Sequence, residues 1–115
     1  MTGAITHMIA GVPVADLDAG IDWYTRFFGR DPDLRAGDEV LWDVDEHATL
    51  FIEPDLGRAG SGRVTFAVTG LDALLERLAE ASIGHGEVET YANGVRHASV
   101  PDPDGNAIAF AEMPG

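Results

Sequence analysis

The chain has 115 residues, with 20 acidic and seven basic side chains, four histidines, no cysteine and a formal net charge of −13. A single domain of this length buries roughly two thirds of the surface its unfolded chain exposes and needs no staple; without cysteine it has no disulfide, thiolate zinc site or cysteine nucleophile. The charge repels nucleic acid and anionic membrane surfaces, no apolar run reaches the ~20 residues of a membrane span, and the apolar start Met1 to Val14 lacks a basic n-region. The expectations are therefore no nucleic-acid partner, no membrane partner and a cytoplasmic location. The acidic excess serves solubility and also favours the approach of cationic small molecules.

In chain order, Ile5 to Val14 alternates as a strand, with Met8, Ala10, Val12 and Val14 on one face and Ile5, His7, Ile9 and Gly11 on the other. Asp16 or Asp18 starts an amphipathic helix marked by Leu17, Ile21, Tyr24 and Phe28, with Gly29 as its C′ residue. Leu34-Arg35, Val40 to Asp43 and Ala48 to Glu53 read as short strands. The glycine-rich stretch 54–62 is a linker by composition. A strand at Arg63 to Thr69 follows, then a helix from Leu71 to about Ser82 with Gly84 as its stop, and strands at Glu87 to Thr90, Val95 to Val100 and Asn106 to Glu112. Asp102-Pro103-Asp104-Gly105-Asn106 forms a tight turn before the last strand.

This is one domain, 1–115, of two β-α-β-β-β units: repeat 5–53, linker 54–62 and repeat 63–112. Val12-Pro13-Val14-Ala15-Asp16-Leu17-Asp18-Ala19 lies over Phe66-Ala67-Val68-Thr69-Gly70-Leu71-Asp72-Ala73, and Phe51-Ile52-Glu53 over Phe110-Ala111-Glu112. Periodicity alone supports a generic α+β domain. The tandem repeat, with Val-x-Asp-Leu-Asp before the first helix and Asp-Pro-Asp-Gly-Asn before the last strand, resembles the vicinal oxygen chelate group. That group includes glyoxalase I, fosfomycin-resistance enzymes, extradiol dioxygenases and bleomycin-binding proteins. The resemblance covers almost the whole chain and implies an α+β fold of two βαβββ modules whose mixed sheets curl around a shared cavity.

The resemblance also implies where metal ligands would stand. One is seven residues before Asp16, which is Ile9; the second half has Arg63 there; the position three beyond Asn106 is Ala109, and its repeat mate is Leu50. None supplies the imidazole or carboxylate donors that a catalytic divalent cation requires. His7, Glu53 and Glu112 are donor types nearby. Glu53 and Glu112 lie three residues past the ligand positions, and an odd offset in a strand points them to the opposite face. The expectation is no metal and no other cofactor.

With Ile9 and Ala109 taken as inward-facing, alternation adds Ala107 and Ala111, Ala48, Leu50 and Ile52, Arg63, Thr65 and Ala67, and His7 and Gly11. Met8, Val12, Val14, Phe51, Val64, Phe66, Val68, Ile108 and Phe110 then face the helices. The candidate ligand pocket is His7, Ile9, Trp42, Leu50, Arg63, Thr65, His97 and Ala109. His7 is a candidate acid or base, or a hydrogen-bonded structural histidine. Arg63 is a candidate anion clamp, or a solvated strand start. Trp42 is a candidate stacking wall, or core. The small alanines either line a pocket or allow close packing of sheets or subunits. His47 and His85 read as surface residues, and nucleophile-elbow, Walker and dinucleotide motifs are absent.

Three functions compete on this reading. One is a metal-independent binder of a small organic molecule, with a bulky or cationic one as the candidate, homodimeric like the bleomycin-binding proteins it resembles. The second is a glyoxalase-like lyase or isomerase using His7 and Arg63. The third is a structural or regulatory dimer without a specific ligand.

Overall fold

The computed structural model describes residues 2–115 and contains β1 (Met8–Val14), α1 (Leu17–Phe28), β2 (Leu34–Ala36), β3 (Glu39–Asp45), β4 (Ala48–Pro54), β5 (Arg63–Val68), α2 (Leu71–Glu80), β6 (Glu89–Thr90), β7 (Arg96–Ser99) and β8 (Ala107–Glu112). Two four-stranded mixed sheets result, β1-β4-β3-β2 and β5-β8-β7-β6, one from each repeat. In each, the first strand runs parallel to the last, which the intervening helix makes possible by carrying the chain back to the starting end. The fold is thus α+β, with two βαβββ modules whose curled sheets remain unclosed. Among the described residues no helix is long and apolar enough to cross a membrane.

The helix boundaries follow local chemistry. Asp16 caps α1, its Oδ1 accepting the Ala19 amide at 2.9 Å, and Gly29 ends it in the left-handed conformation at φ 73°. For α2 the N-cap is Gly70, which has no side chain to offer, and the carboxylate of Glu112 reaches back from β8 to accept the Leu71 amide at 2.7 Å. The expected glycine stop of α2 is not used. The helix ends at Glu80, and Ser82 takes the left-handed turn at φ 62°, two residues before Gly84. The strand predicted from Ile5 begins at Met8, where pairing with Ala48 begins.

The core lies between the sheets. Phe28 of α1 stacks on Trp42 of the first sheet with ring centroids 5.6 Å apart, and Phe27, the preceding residue, stacks on Phe110 of the second at 5.4 Å. Gly20 lets α1 come close to its own sheet, since a Cβ there would sit 3.0 Å from Ile52. Leu71, Leu75 and Leu78 of α2 complete the layer. Both sheets therefore turn one face toward the helices and core and leave the other open.

Register corrects the sequence reading of β4. Val12 pairs with Ile52 and Val40 with Ile52, so these three share the helix face and are buried, as are Leu50 and Trp42. Leu50 and Trp42, both placed in the pocket by sequence, are core residues 1% and 0% exposed. Thr49, Phe51 and Glu53 take the open face instead. The repeats consequently superpose one residue differently. Thr65, which corresponds to Gly11, pairs with Ala109, while Gly11 pairs with Phe51, so Phe51 and not Leu50 is the mate of Ala109. Ala48 and Ile52, also expected inward, follow Leu50 to the helix side, and Phe51 leaves it.

Candidate functional site

The turn before β8 is the polar joint of the molecule. Asp102 is 5% exposed, and its carboxylate accepts the Tyr24 hydroxyl at 2.8 Å, the backbone amides of Asp104 and Asn106 at 3.0 and 2.9 Å, and Asn106 Nδ2 at 2.7 Å. Asn106, fully buried, donates to the Pro13 carbonyl at 2.8 Å and accepts the Gly62 amide at 2.7 Å, tying the end of β1 to the start of β5. Asp104 accepts the Ala15 amide at 3.2 Å. Burial, then the adjacent Asp102 carboxylate, pushes the Tyr24 phenol far above its ordinary value. The motif is a fastening between halves, and every one of its buried polar side-chain atoms has a partner.

The open face of the first sheet is mixed apolar and acidic. Gly11, Phe51, Leu41 and Leu34 lie in one row across β1, β4, β3 and β2, and Ile9, Thr49 and Asp43 lie in the next. The Phe51 ring covers Gly11 so closely that a Cβ there would meet it at 2.4 Å. Ile9 and Leu34 are each 58% exposed. At one end His7 Nε2 is 2.7 Å from Thr49 Oγ1, which in turn donates to Asp43 Oδ1 at 2.9 Å. The hydroxyl has one proton and gives it to the carboxylate, so Nε2 carries hydrogen and Nδ1 is left to accept. Thr49 and Asp43 were not singled out by sequence. The signal was present: in Ala48 to Glu53 the even positions are all apolar and the odd ones include Thr and Glu.

The second sheet's open face is different in kind. Arg63, Thr65, His97 and Ser99 surround a cleft of about 160 Å³ floored by Ala107 and Ala109. Thr65, Ala109 and Ser99 lie in one row across β5, β8 and β7, and Ala67, Ala111 and His97 lie in another. The Tyr91 ring stacks on His97 with centroids 5.7 Å apart. Ser99 is the polar member absent from the pocket expected from sequence. Of the eight pocket residues proposed from sequence, Arg63, Thr65, His97 and Ala109 gather on this face, His7 and Ile9 lie on the first, and Trp42 and Leu50 are in the core.

At the positions where the family places metal ligands, the chain has Ile9, Phe51, Arg63 and Ala109, and these do not fit a divalent cation: two hydrocarbons, an aromatic ring and a guanidinium offer no lone pair to it. Among the described residues, no three histidine or carboxylate groups converge. Glu53 does lie on the open face, contrary to the sequence expectation, because it is two residues from Phe51 rather than three from Leu50. It pairs in register with Pro13, at the other end of β4 from Thr49 and His7. Glu112 is on the helix side as expected, where it caps α2 and accepts Arg96 at 3.1 Å. The same Arg96 hydrogen-bonds Asp72 and holds that carboxyl below its usual range.

Comparison with known proteins is consistent with this architecture. A structure of a glyoxalase / bleomycin resistance protein from Catenulispora acidiphila is 38% identical, with a TM-score of 0.87 over 94% of this chain and 98% of the other. A lactoylglutathione lyase from Agrobacterium tumefaciens shares the fold at 19% identity and TM-score 0.79, covering 96% of each chain. An oxidase, ChaP-H1, shares it at 23% identity and TM-score 0.78 over 96% of this chain and 98% of that one. A search of curated proteins returned no match. The family described as Glyoxalase/Bleomycin resistance protein/Dioxygenase superfamily matches residues 4–110, and the chain belongs to it.

Proposed function

We propose that this chain is a metal-independent small-molecule-binding protein of the cytoplasm, with its ligand held on the open sheet faces and enclosed by a second copy of the chain. The observation that carries the reading is the set Ile9, Phe51, Arg63 and Ala109 at the family's ligand positions, which replaces metal chemistry with apolar surface and one guanidinium. A second copy is invoked because α1 lies between the sheets and leaves both open faces uncovered, with Ile9 and Leu34 exposed. In this respect the chain resembles the bleomycin-binding members of its family.

Thermal-shift screening against glycopeptide drugs, aromatic acids and CoA esters tests the proposal, because a ligand that binds only the folded state raises the melting temperature. A hit that survives Leu34→Ser but is lost in Ala109→Leu, with folding intact, places the ligand on the second sheet. Absence of any hit together with a monomer in sedimentation contradicts the reading. A second reading, a glyoxalase-like isomerase or lyase, is favoured by one observation, the His7–Thr49–Asp43 chain, which orients an imidazole with Nδ1 free to take a proton.

A further inference from the structure

The cleft on the second sheet gathers hydrogen-bond donors in a chain with an excess of acceptors. Arg63, Thr65, Ser99 and His97 line it, and no carboxylate does. The acid nearest in register, Glu89 opposite His97, stands on β6 and is not part of the lining. Among the described residues the side chains of Arg63, Thr65 and Ser99 enter no hydrogen bond or ion pair. Of the other six arginines, Arg26, Arg30, Arg58 and Arg96 each face a carboxylate, Arg77 donates to carbonyls at the end of α1, and Arg35, exposed on β2 away from this cleft, is the second one that enters no hydrogen bond or ion pair among the described residues. With 20 carboxylates available to seven basic residues, a guanidinium left without one beside a cleft is poised for an external partner.

We propose that this cleft binds the carboxylate of a small organic acid. The planar fork of Arg63 matches the two oxygens of a carboxylate, the Thr65 and Ser99 hydroxyls donate from across the floor, and His97 donates through whichever ring nitrogen faces the ligand. Ala107 and Ala109 keep the floor low and apolar, leaving space for a ring or short acyl chain. The inference rests on the reading that the open faces bind ligand, and it adds the ligand's charge: this site selects an anion, although the net charge of −13 disfavours the approach of one.

The test is a titration of the intact, isotope-labelled protein followed by amide chemical shifts, with benzoate, its neutral isostere benzamide, benzylamine and inorganic phosphate as probes. Saturable shifts at Arg63, Thr65, Ser99 and Ala109 with benzoate, weakened about tenfold or more for benzamide and by Arg63→Gln, are the expected result. Retained dispersion of the Arg63→Gln spectrum confirms that the loss is not unfolding, and Arg63→Lys should recover part of it. Benzamide or benzylamine binding the cleft as well as benzoate, or benzoate indifferent to Arg63→Gln, overturns the anion assignment while leaving small-molecule binding in place. Phosphate bound in preference to benzoate overturns the carboxylate. No saturable shift on either open face, with any probe, overturns the assignment together with the reading beneath it.

Discussion

The two sheets have the same strand order and the same parallel closure of first strand on last, yet their open faces carry opposite chemistry. The first presents Ile9, Phe51, Leu41 and Leu34 with Asp43 and Glu53, and the second presents alanines ringed by Arg63, Thr65, Ser99 and His97. Their helix faces barely differ in kind, being apolar in both, because both contribute to one core. A duplicated backbone constrains what faces the core and leaves what faces outward free to diverge. Around the positions where the family places metal ligands, one sheet supplies an acidic apolar surface and the other a donor-lined cleft.

The sharpest way to break the comparison is through the register of β4. Leu50→Glu places a carboxylate in the core and should destabilise by about 4 kcal/mol or more, whereas Phe51→Glu, on the open face, should cost about 1–2 kcal/mol; urea unfolding of both variants measures the contrast. If Leu50 rather than Phe51 faced outward the order would reverse. The next effect contrasts the two turns that precede the last strand of each repeat. Asp102→Ala strips four hydrogen bonds from a buried site and should cost about 3 kcal/mol. Asp45→Ala, in the first repeat, removes one exposed contact to the His47 amide and should cost less than about 1 kcal/mol.

Tyr24 links the halves and makes the contrast depend on pH. In the unfolded chain the phenol ionises at its ordinary value of 10.0, while in the folded chain burial and Asp102 keep it protonated well above that. Its contribution is therefore complete below pH 10 and falls as pH rises beyond it, since the unfolded state then releases a proton that the folded state retains. Tyr24→Phe should lower stability by about 1 kcal/mol at neutral pH and flatten the decline above pH 10, which urea titrations at several pH values will show. The smallest effect concerns the two helix starts: Asp16→Ala should cost about 1 kcal/mol, and Glu112→Gln, which retains an acceptor for Leu71, about half of that.

Much of the architecture was legible in the sequence. The alternation in β1 and β5, the leucines of α2, Gly29 and the Asp-Pro-Asp-Gly-Asn turn each act through local rules of period and backbone freedom. Superposing Phe51-Ile52-Glu53 on Phe110-Ala111-Glu112 matched residue types and misplaced β4 by one, because register belongs to pairing across strands, and a one-residue slip exchanges faces. Trp42 and Leu50 were drawn into the pocket by that slip or by aromatic character alone, while Thr49 and Phe51 went unnoticed. Arg63, Thr65, His97 and Ala109 came out together because β5, β7 and β8 alternate without a shift. The His7–Thr49–Asp43 chain joins residues from the approach to β1 and from two strands, a proximity no local signal carries.

The central claim is that the chain works without a metal, since none of the family's ligand positions offers it a donor. Elemental analysis of protein purified without chelator tests it directly. Ni, Zn, Fe and Mn far below one equivalent per chain is the predicted result. One of them near one equivalent per chain, retained through dialysis and released by Glu53→Gln or His7→Ala, would contradict it.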